Sequence, residues 1–133
     1  MYIQGISSFL AMLLISSCVF TKGDQYKEVL RILNCVSKSG DQQLCDGILT
    51  CNAKLAKPYK DAYNDCVKIF LPNGIGHCDE NSELYYSEET RRQINGCIQY
   101  KVADEQLTDE QEKQMDEFED CVLALGQKAG CDS

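Results

Sequence analysis

The stretch DQQLCDGILTCNAKLAKPYKDAYNDCVKIF, residues 41–70, decides the fold of this chain. It holds two segments whose apolar residues recur every three or four positions, the spacing of one face of an α-helix. Asp41 can cap the first segment, and Pro58 suits the first turn of the second because that position needs no backbone N–H. We therefore expect an antiparallel pair of helices joined near Pro58. Their inward positions are Leu44, Ile48, Cys51 and Leu55, then Tyr59, Ala62, Tyr63, Cys66, Val67 and Phe70.

Three more helices are predicted around this pair. Residues 24–38 repeat the apolar spacing, and Ser87 can cap a further helix. Thr108 and Gln111 have the form of a capping box at the start of the last one. No segment alternates as a strand would. The sequence predicts an all-α protein of about five short amphipathic helices in a compact bundle.

The chain has nine cysteines, one of which, Cys18, lies in an apolar N-terminal segment. The other eight are an even number in a short chain, which is typical of four disulfides formed in an oxidising compartment. No C-x-x-C pair or Cys/His cluster occurs, so no metal site is expected. The predicted disulfide-forming residues are Cys35, Cys45, Cys51, Cys66, Cys78, Cys97, Cys121 and Cys131.

Helix geometry restricts the pairing of these cysteines only slightly. Cys45 and Cys51 would stand about 9 Å apart along one helix, whereas the Cα atoms of a disulfide lie within about 7 Å. We therefore expect them to bond to different partners. In an antiparallel pair joined near Pro58, Cys51 and Cys66 would lie at similar positions along the two helix axes. The sequence therefore favours a Cys51–Cys66 bridge.

The N-terminus carries an apolar run, residues 6–20, that predicts a secretory signal peptide over residues 1–23. Cleavage after Gly23 is favoured and cleavage after Cys18 is the alternative. Residues 15–18 resemble a bacterial lipobox, but residues 1–5 hold no Lys or Arg, which argues against lipidation. Residues 24–133 would then form a single disulfide-rich helical domain.

That domain has a faint internal echo between residues 63–67 and 118–122, which read YNDCV and FEDCV. Two diverged halves, residues 24–78 and 79–133, would explain the likeness. Amphipathic helices with inward cysteines also look alike by chance, and both readings stay open.

Charge is concentrated in the second part of the chain. Without residues 1–23 there are 21 acidic and 12 basic residues, a net charge of −9, and residues 78–133 hold 15 of the acidic ones. Nucleic acid and anionic membranes are therefore unsuitable partners. The acidic run suits calcium or a basic partner, but no calcium-binding loop motif is present and a solvated helix face is favoured. The run contains Asp109, Glu110, Glu112, Asp116, Glu117, Glu119 and Asp120.

No catalytic set is visible in the sequence. His77 is the single histidine, and in a turn beside Cys78 it is expected to be a surface residue. We expect no enzymatic activity and no cofactor. Tyr59, Tyr63 and Phe70 share one face of one helix, a stripe that suits core packing more often than a ligand cavity.

One segment carries a family resemblance. CIQYKVA at residues 97–103, the polar helix that ends at Cys121, and the region back to Cys78 resemble the microplusin-like proteins of arachnids over about forty residues. That resemblance implies a small, secreted, all-helical, disulfide-bonded defence protein. The copper binding of that family uses several histidines, and this chain offers only His77, so no metal chemistry is carried over. The leader and the eight-cysteine helical body also resemble secreted venom or salivary proteins of arthropods.

These observations predict a secreted, non-enzymatic, disulfide-stabilised helical protein without a membrane span, either a monomer or a homodimer. It would bind an extracellular protein target as a venom or salivary toxin or as a defence factor. The alternative is an extracellular carrier of a small hydrophobic ligand.

Overall fold

The structure is a computed structural model that describes residues 22–131. Over that range it has five α-helices, and its only β-type pairing is an isolated bridge between Asp79 and Ser82. The all-α prediction is confirmed. The helices are α1 (Lys22–Ser37), α2 (Gln42–Asn52), α3 (Lys57–Phe70), α4 (Glu88–Lys101) and α5 (Asp109–Lys128).

The predicted signal peptide falls almost wholly outside the described residues. Its structure and its cleavage after Gly23 therefore stay predictions, as does the division of the chain into two related halves. Within residues 22–131 no helix is both long enough and apolar enough to cross a bilayer.

Side-chain caps begin three of the helices where the sequence predicts them. Asp41 accepts a hydrogen bond from the backbone N–H of Gln43 at 2.9 Å. Ser87 Oγ accepts from the N–H of Thr90 at 3.1 Å, and Thr108 with Gln111 forms the complete capping box. Each cap contributes about 1 kcal/mol to helix stability, because it satisfies backbone donors that have no partner within the helix.

The helices are arranged as two groups. α1, α2 and α5 pack against one another and form the three-helix group, while α3 packs chiefly against α4 and forms the helix pair. The two groups meet along a boundary, here called the seam, where α1 also contacts α4. The expected antiparallel packing of α2 against α3 is therefore wrong. Residues 53–56 let the chain change direction between them, so each helix buries its apolar face against a different partner.

All eight cysteines predicted to pair are joined in four disulfides, with Cα–Cα distances between 5.5 and 6.4 Å. The pairs are Cys35–Cys131, Cys45–Cys78, Cys51–Cys121 and Cys66–Cys97. The expected Cys51–Cys66 bridge is wrong because its premise, an α2–α3 pair, is wrong. The expectation that Cys45 and Cys51 bond to different partners is confirmed.

A close approach between α2 and α5 explains a glycine that would otherwise weaken a helix. Gly47 lies in the middle of α2, where glycine costs about 1 kcal/mol relative to alanine. A Cβ atom at this position would lie 2.7 Å from Leu125 Cδ1. The missing side chain lets α5 pack directly on α2, beside the bridge that joins Cys51 to Cys121.

Candidate ligand-binding cavity

An apolar cavity of about 80 Å³ lies along the seam. Every helix contributes to its wall, so the cavity exists only because the two groups meet. Its lining is mostly aliphatic and aromatic, which is typical of small-molecule sites. Representative side chains are Val29 and Leu33 of α1, Ile48 of α2, Tyr63 of α3, Ile98 of α4 and Phe118 of α5.

The apolar wall is interrupted by a short polar network. Tyr63 and Tyr85 share a hydrogen bond of 2.6 Å between their hydroxyls, and Asn52 Nδ2 donates to the Tyr85 hydroxyl at 3.3 Å. The two rings meet edge to face, with centroids 6.4 Å apart. Burial raises the pKa of the Tyr63 hydroxyl and raises that of Tyr85 well above its usual value. Both hydroxyls are therefore neutral, and they give the cavity wall a fixed point for hydrogen bonding.

Backbone strain accompanies this network. Tyr85 and Tyr86 have φ angles of 59° and 69°, in the left-handed region that costs a non-glycine residue about 1–2 kcal/mol. The strain is held in place by surrounding contacts, including a 2.8 Å hydrogen bond from the Tyr85 N–H to the Ile75 carbonyl. Non-glycine residues in this region are concentrated at ligand sites, where the strain positions a side chain. Here it directs the Tyr85 ring into the cavity wall.

Arg91 anchors the loop that carries Tyr85. Its side chain is almost fully buried, and each of its three guanidinium nitrogens donates a hydrogen bond. It donates to Asn34 Oδ1 at 2.7 Å, to the Leu84 carbonyl at 2.7 Å and to Glu83 Oε1 at 2.9 Å. Because Asn34 belongs to α1 and Arg91 to α4, this cluster also ties the two helix groups together across the seam.

A second depression, of about 240 Å³, adjoins the cavity. The two share the side chains of Tyr26, Tyr59 and Met115 as a common wall. The hydroxyls of Tyr26 and Tyr59 are 2.5 Å apart, and their rings stack with centroids 6.5 Å apart. Burial, followed by the hydrogen bond to Tyr59, raises the pKa of Tyr26 far above its usual value. This tyrosine pair joins α1 to α3 across the seam.

The remaining lining of the second depression is strongly acidic, and we call it the acidic cleft. It is formed by Glu112, Asp116 and Glu119 of α5 together with Leu107. Partial burial, followed by repulsion from Asp116 and Asp120, raises the pKa of Glu119 above its usual value. Negative charge is therefore held close together beside the mouth of an apolar cavity.

The candidate residues taken from the sequence fall into three places. Tyr59 and Tyr63 do line the cavity, whereas Phe70 lies at the end of α3 and is partly exposed. Three members of the acidic run line the cleft, and the other four are exposed on α5. His77 is exposed, with Nε2 2.9 Å from Asp79 Oδ2. Within residues 22–131 no group of three or more His, Cys, Asp or Glu side chains could hold a metal ion.

Sequence reasoning missed Arg91, Tyr85 and Asn52. A signal for Arg91 was present, because it stands three positions before Ile94 on the inward face of α4. Tyr85 carried no such signal, since it lies in a loop and its placement depends on a backbone conformation that tyrosine seldom adopts.

A family model described as Hi1a-like: U10-hexatoxin-Hi1a matches residues 23–132. The match spans all five helices and all eight paired cysteines. It supports the broader resemblance to cysteine-rich venom proteins of arthropods and leaves the narrower resemblance to microplusin-like proteins without support. No curated protein and no solved structure matched the chain.

Proposed function

The chain belongs to the Hi1a-like family, and from this premise we propose that it is a secreted, non-enzymatic toxin that binds an extracellular protein target. The family match is the observation that carries the proposal. The four disulfides support it, because such a density of bridges is characteristic of small proteins that work outside the cell. The acidic surface argues for a protein target rather than nucleic acid or an anionic membrane.

The distribution of exposed apolar side chains favours the helix pair and its loop as the target-binding side. The three most exposed of the large ones are Ile69 at 62 %, Tyr86 at 56 % and Tyr100 at 86 %. All three lie in α3, in α4 or between them. Exposed aromatic and aliphatic anchors of this kind supply most of the binding energy at protein interfaces.

The test is binding of fluorescently labelled, oxidatively folded protein to intact neuronal and blood cells of arthropods and vertebrates. We expect saturable binding that unlabelled protein displaces and that reduced, alkylated protein does not. The variant Tyr100→Ala should weaken this binding, and the matched control Leu123→Ala on α5 should not. Absence of displaceable binding across the cell panel would contradict the proposal.

A second candidate function, an extracellular carrier of a small hydrophobic ligand, is favoured by the cavity itself. Drug-sized ligands occupy pockets of roughly 300–1,000 Å³, and the cavity here has about 80 Å³. Its occupant would therefore be small, with an apolar part about the size of one ring. Chemical shift changes at Ile48, Ile98 and Phe118 on addition of a small aromatic alcohol would support this function. Unchanged spectra at saturating concentration would exclude it.

A further inference from the structure

We propose that the seam cavity and the acidic cleft together form one binding site for a small protonated amine whose apolar body is about one ring in size. The inference rests on the second function proposed above and adds the chemical class of the ligand. Its basis is a juxtaposition: an apolar cavity and a depression lined by carboxylates share the wall made by Tyr26, Tyr59 and Met115.

The cavity accounts for the apolar part of the ligand. Its wall is provided chiefly by aliphatic and aromatic side chains from both helix groups. The hydroxyls of Tyr63 and Tyr85 are bonded to each other, and the guanidinium of Arg91 is bonded to its own protein partners. These polar groups of the wall already have protein partners, which suits an apolar occupant, and the bonded guanidinium offers no free cation to an acidic one.

The acidic cleft accounts for the positive charge. It is lined by three carboxylates, and none of its lining residues in the described part of the chain is basic. The neighbouring groups on α1 and α3 are the hydrogen-bonded hydroxyls of Tyr26 and Tyr59, and Asp120 adds further negative charge on α5. Partial burial, followed by repulsion from Asp116 and Asp120, raises the pKa of Glu119. An ammonium group in the cleft would relieve the repulsion among the carboxylates and gain charge-assisted hydrogen bonds.

The class of cation follows from the residues available. Among residues 22–131 no group of three or more His, Cys, Asp or Glu side chains could hold a metal ion, which favours an organic cation in the cleft. An ammonium group on a short chain needs only one or two carboxylates within hydrogen-bonding distance. Because the cavity and the cleft share Tyr26, Tyr59 and Met115, a short chain between ring and ammonium group would place the charge in the cleft while the ring stays in the cavity.

The first test is an NMR titration of the full, oxidised protein with three probes that share one apolar body. These are 2-phenylethylamine, 2-phenylethanol and 3-phenylpropanoate. We expect the amine to bind about tenfold more tightly than the alcohol, because a hydrogen bond between charged groups is stronger than one made by a neutral hydroxyl. The anion should bind least. Equal affinity for amine and alcohol would overturn this inference and leave the carrier function standing, whereas no binding of any probe would overturn both.

Variants then assign the two parts of the site. In Asp116→Asn/Glu119→Gln the affinity for the amine should fall to within about twofold of the affinity for the alcohol. The control is Glu117→Gln, which changes an exposed acid on the same helix and should keep the full preference for the amine. Ile98→Phe, which fills the cavity, should weaken both amine and alcohol at least about fivefold. If Ile98→Phe does not fold, Val29→Ile, which adds less volume to the same wall, is tested in its place.

Butylamine distinguishes a free aromatic amine from the lysine side chain of a partner protein, which offers the same charge on an alkyl stem. We expect butylamine to bind about tenfold more weakly than 2-phenylethylamine, because it leaves most of the apolar cavity unfilled. Equal binding of the two would show that the cleft alone selects the ligand. That result would overturn the one-site proposal.

Discussion

The three-helix group and the helix pair are stabilised in different ways. Two disulfides lie within the three-helix group, Cys35–Cys131 and Cys51–Cys121, and a third ties α2 to the loop before α4. The helix pair has one, Cys66–Cys97. Among residues 22–131 no bridge joins a helix of one group directly to a helix of the other, although Cys45–Cys78 ties α2 to the loop that connects α3 and α4. Each group is therefore cross-linked internally, and the helices that face each other across the seam are held by non-covalent contacts.

Those contacts are few and polar as well as apolar. Arg91 bonds to Asn34, and Tyr26 bonds to Tyr59. Lys38 pairs with Glu88 at 3.4 Å, but both side chains are about half exposed, so this ion pair contributes little. The cavity lies among these contacts, so side chains of both helix groups form its wall.

The largest expected effect comes from removing the buried arginine that holds the seam. Arg91→Ala leaves Glu83, Asn34 and the Leu84 carbonyl without their donor, so the free energy of unfolding should fall by about 3–5 kcal/mol. Chemical denaturation measures the loss. Arg92→Ala is the control, because Arg92 is largely exposed and pairs only with Glu89, and it should cost at most about 1 kcal/mol. Similar losses in the two variants would contradict the role of Arg91.

The disulfides allow each group to be loosened separately. Cys66→Ala/Cys97→Ala should lower the free energy of unfolding by about 2–4 kcal/mol. Because the groups share no helix-to-helix bridge, amide hydrogen exchange should rise mainly in α3 and α4 and stay slow in α2 and α5. The matched variant Cys51→Ala/Cys121→Ala should reverse this pattern. Uniformly faster exchange in both variants would show that the two groups unfold as one unit.

A double-mutant cycle measures the tyrosine contact across the seam. Tyr59→Phe should lower the free energy of unfolding by about 1 kcal/mol, because the half-buried hydroxyl of Tyr26 loses its hydrogen bond to Tyr59. Adding Tyr26→Phe should restore part of that loss, since the hydroxyl that lost this bond is then removed as well. Additive losses would indicate that the two hydroxyls do not bond to each other in solution.

The smallest expected effect concerns the charge of the acidic cleft. The pKa of Glu119 is raised in the folded protein, so its ionised form destabilises the fold above that pKa. Glu119→Gln should therefore stabilise the protein at pH 7, by less than about 1 kcal/mol because the site is partly solvated. The gain should disappear as the pH falls below about 4, where the carboxyl is protonated in both states. Thermal melts across this pH range measure the change in stability, with Glu117→Gln as the control variant. A stabilisation by Glu119→Gln that persists at pH 3 would contradict the raised pKa of Glu119.

Local signals in the sequence were sufficient to predict the helices but not to predict which helices pack against each other. Asp41, Ser87 and Thr108 mark helix starts because a cap needs only its own next three residues. The partner of Cys51 could not be found this way, since it depends on which helix α2 meets in space. The same limit hid the acidic cleft, because the face of α5 that carries Glu112, Asp116 and Glu119 looks like any solvated surface until Tyr26 and Tyr59 are seen beside it.

The bridge between Cys35 and Cys131 limits what a single proteolytic cut can do to the protein. Together with the main chain it closes a ring that contains every residue between the two cysteines, including all of α2 to α5. A protease that cuts any one peptide bond inside this ring opens it without releasing a fragment. The cleaved molecule would stay in one piece and be heavier by one water molecule. It would separate into fragments only after its disulfides are reduced.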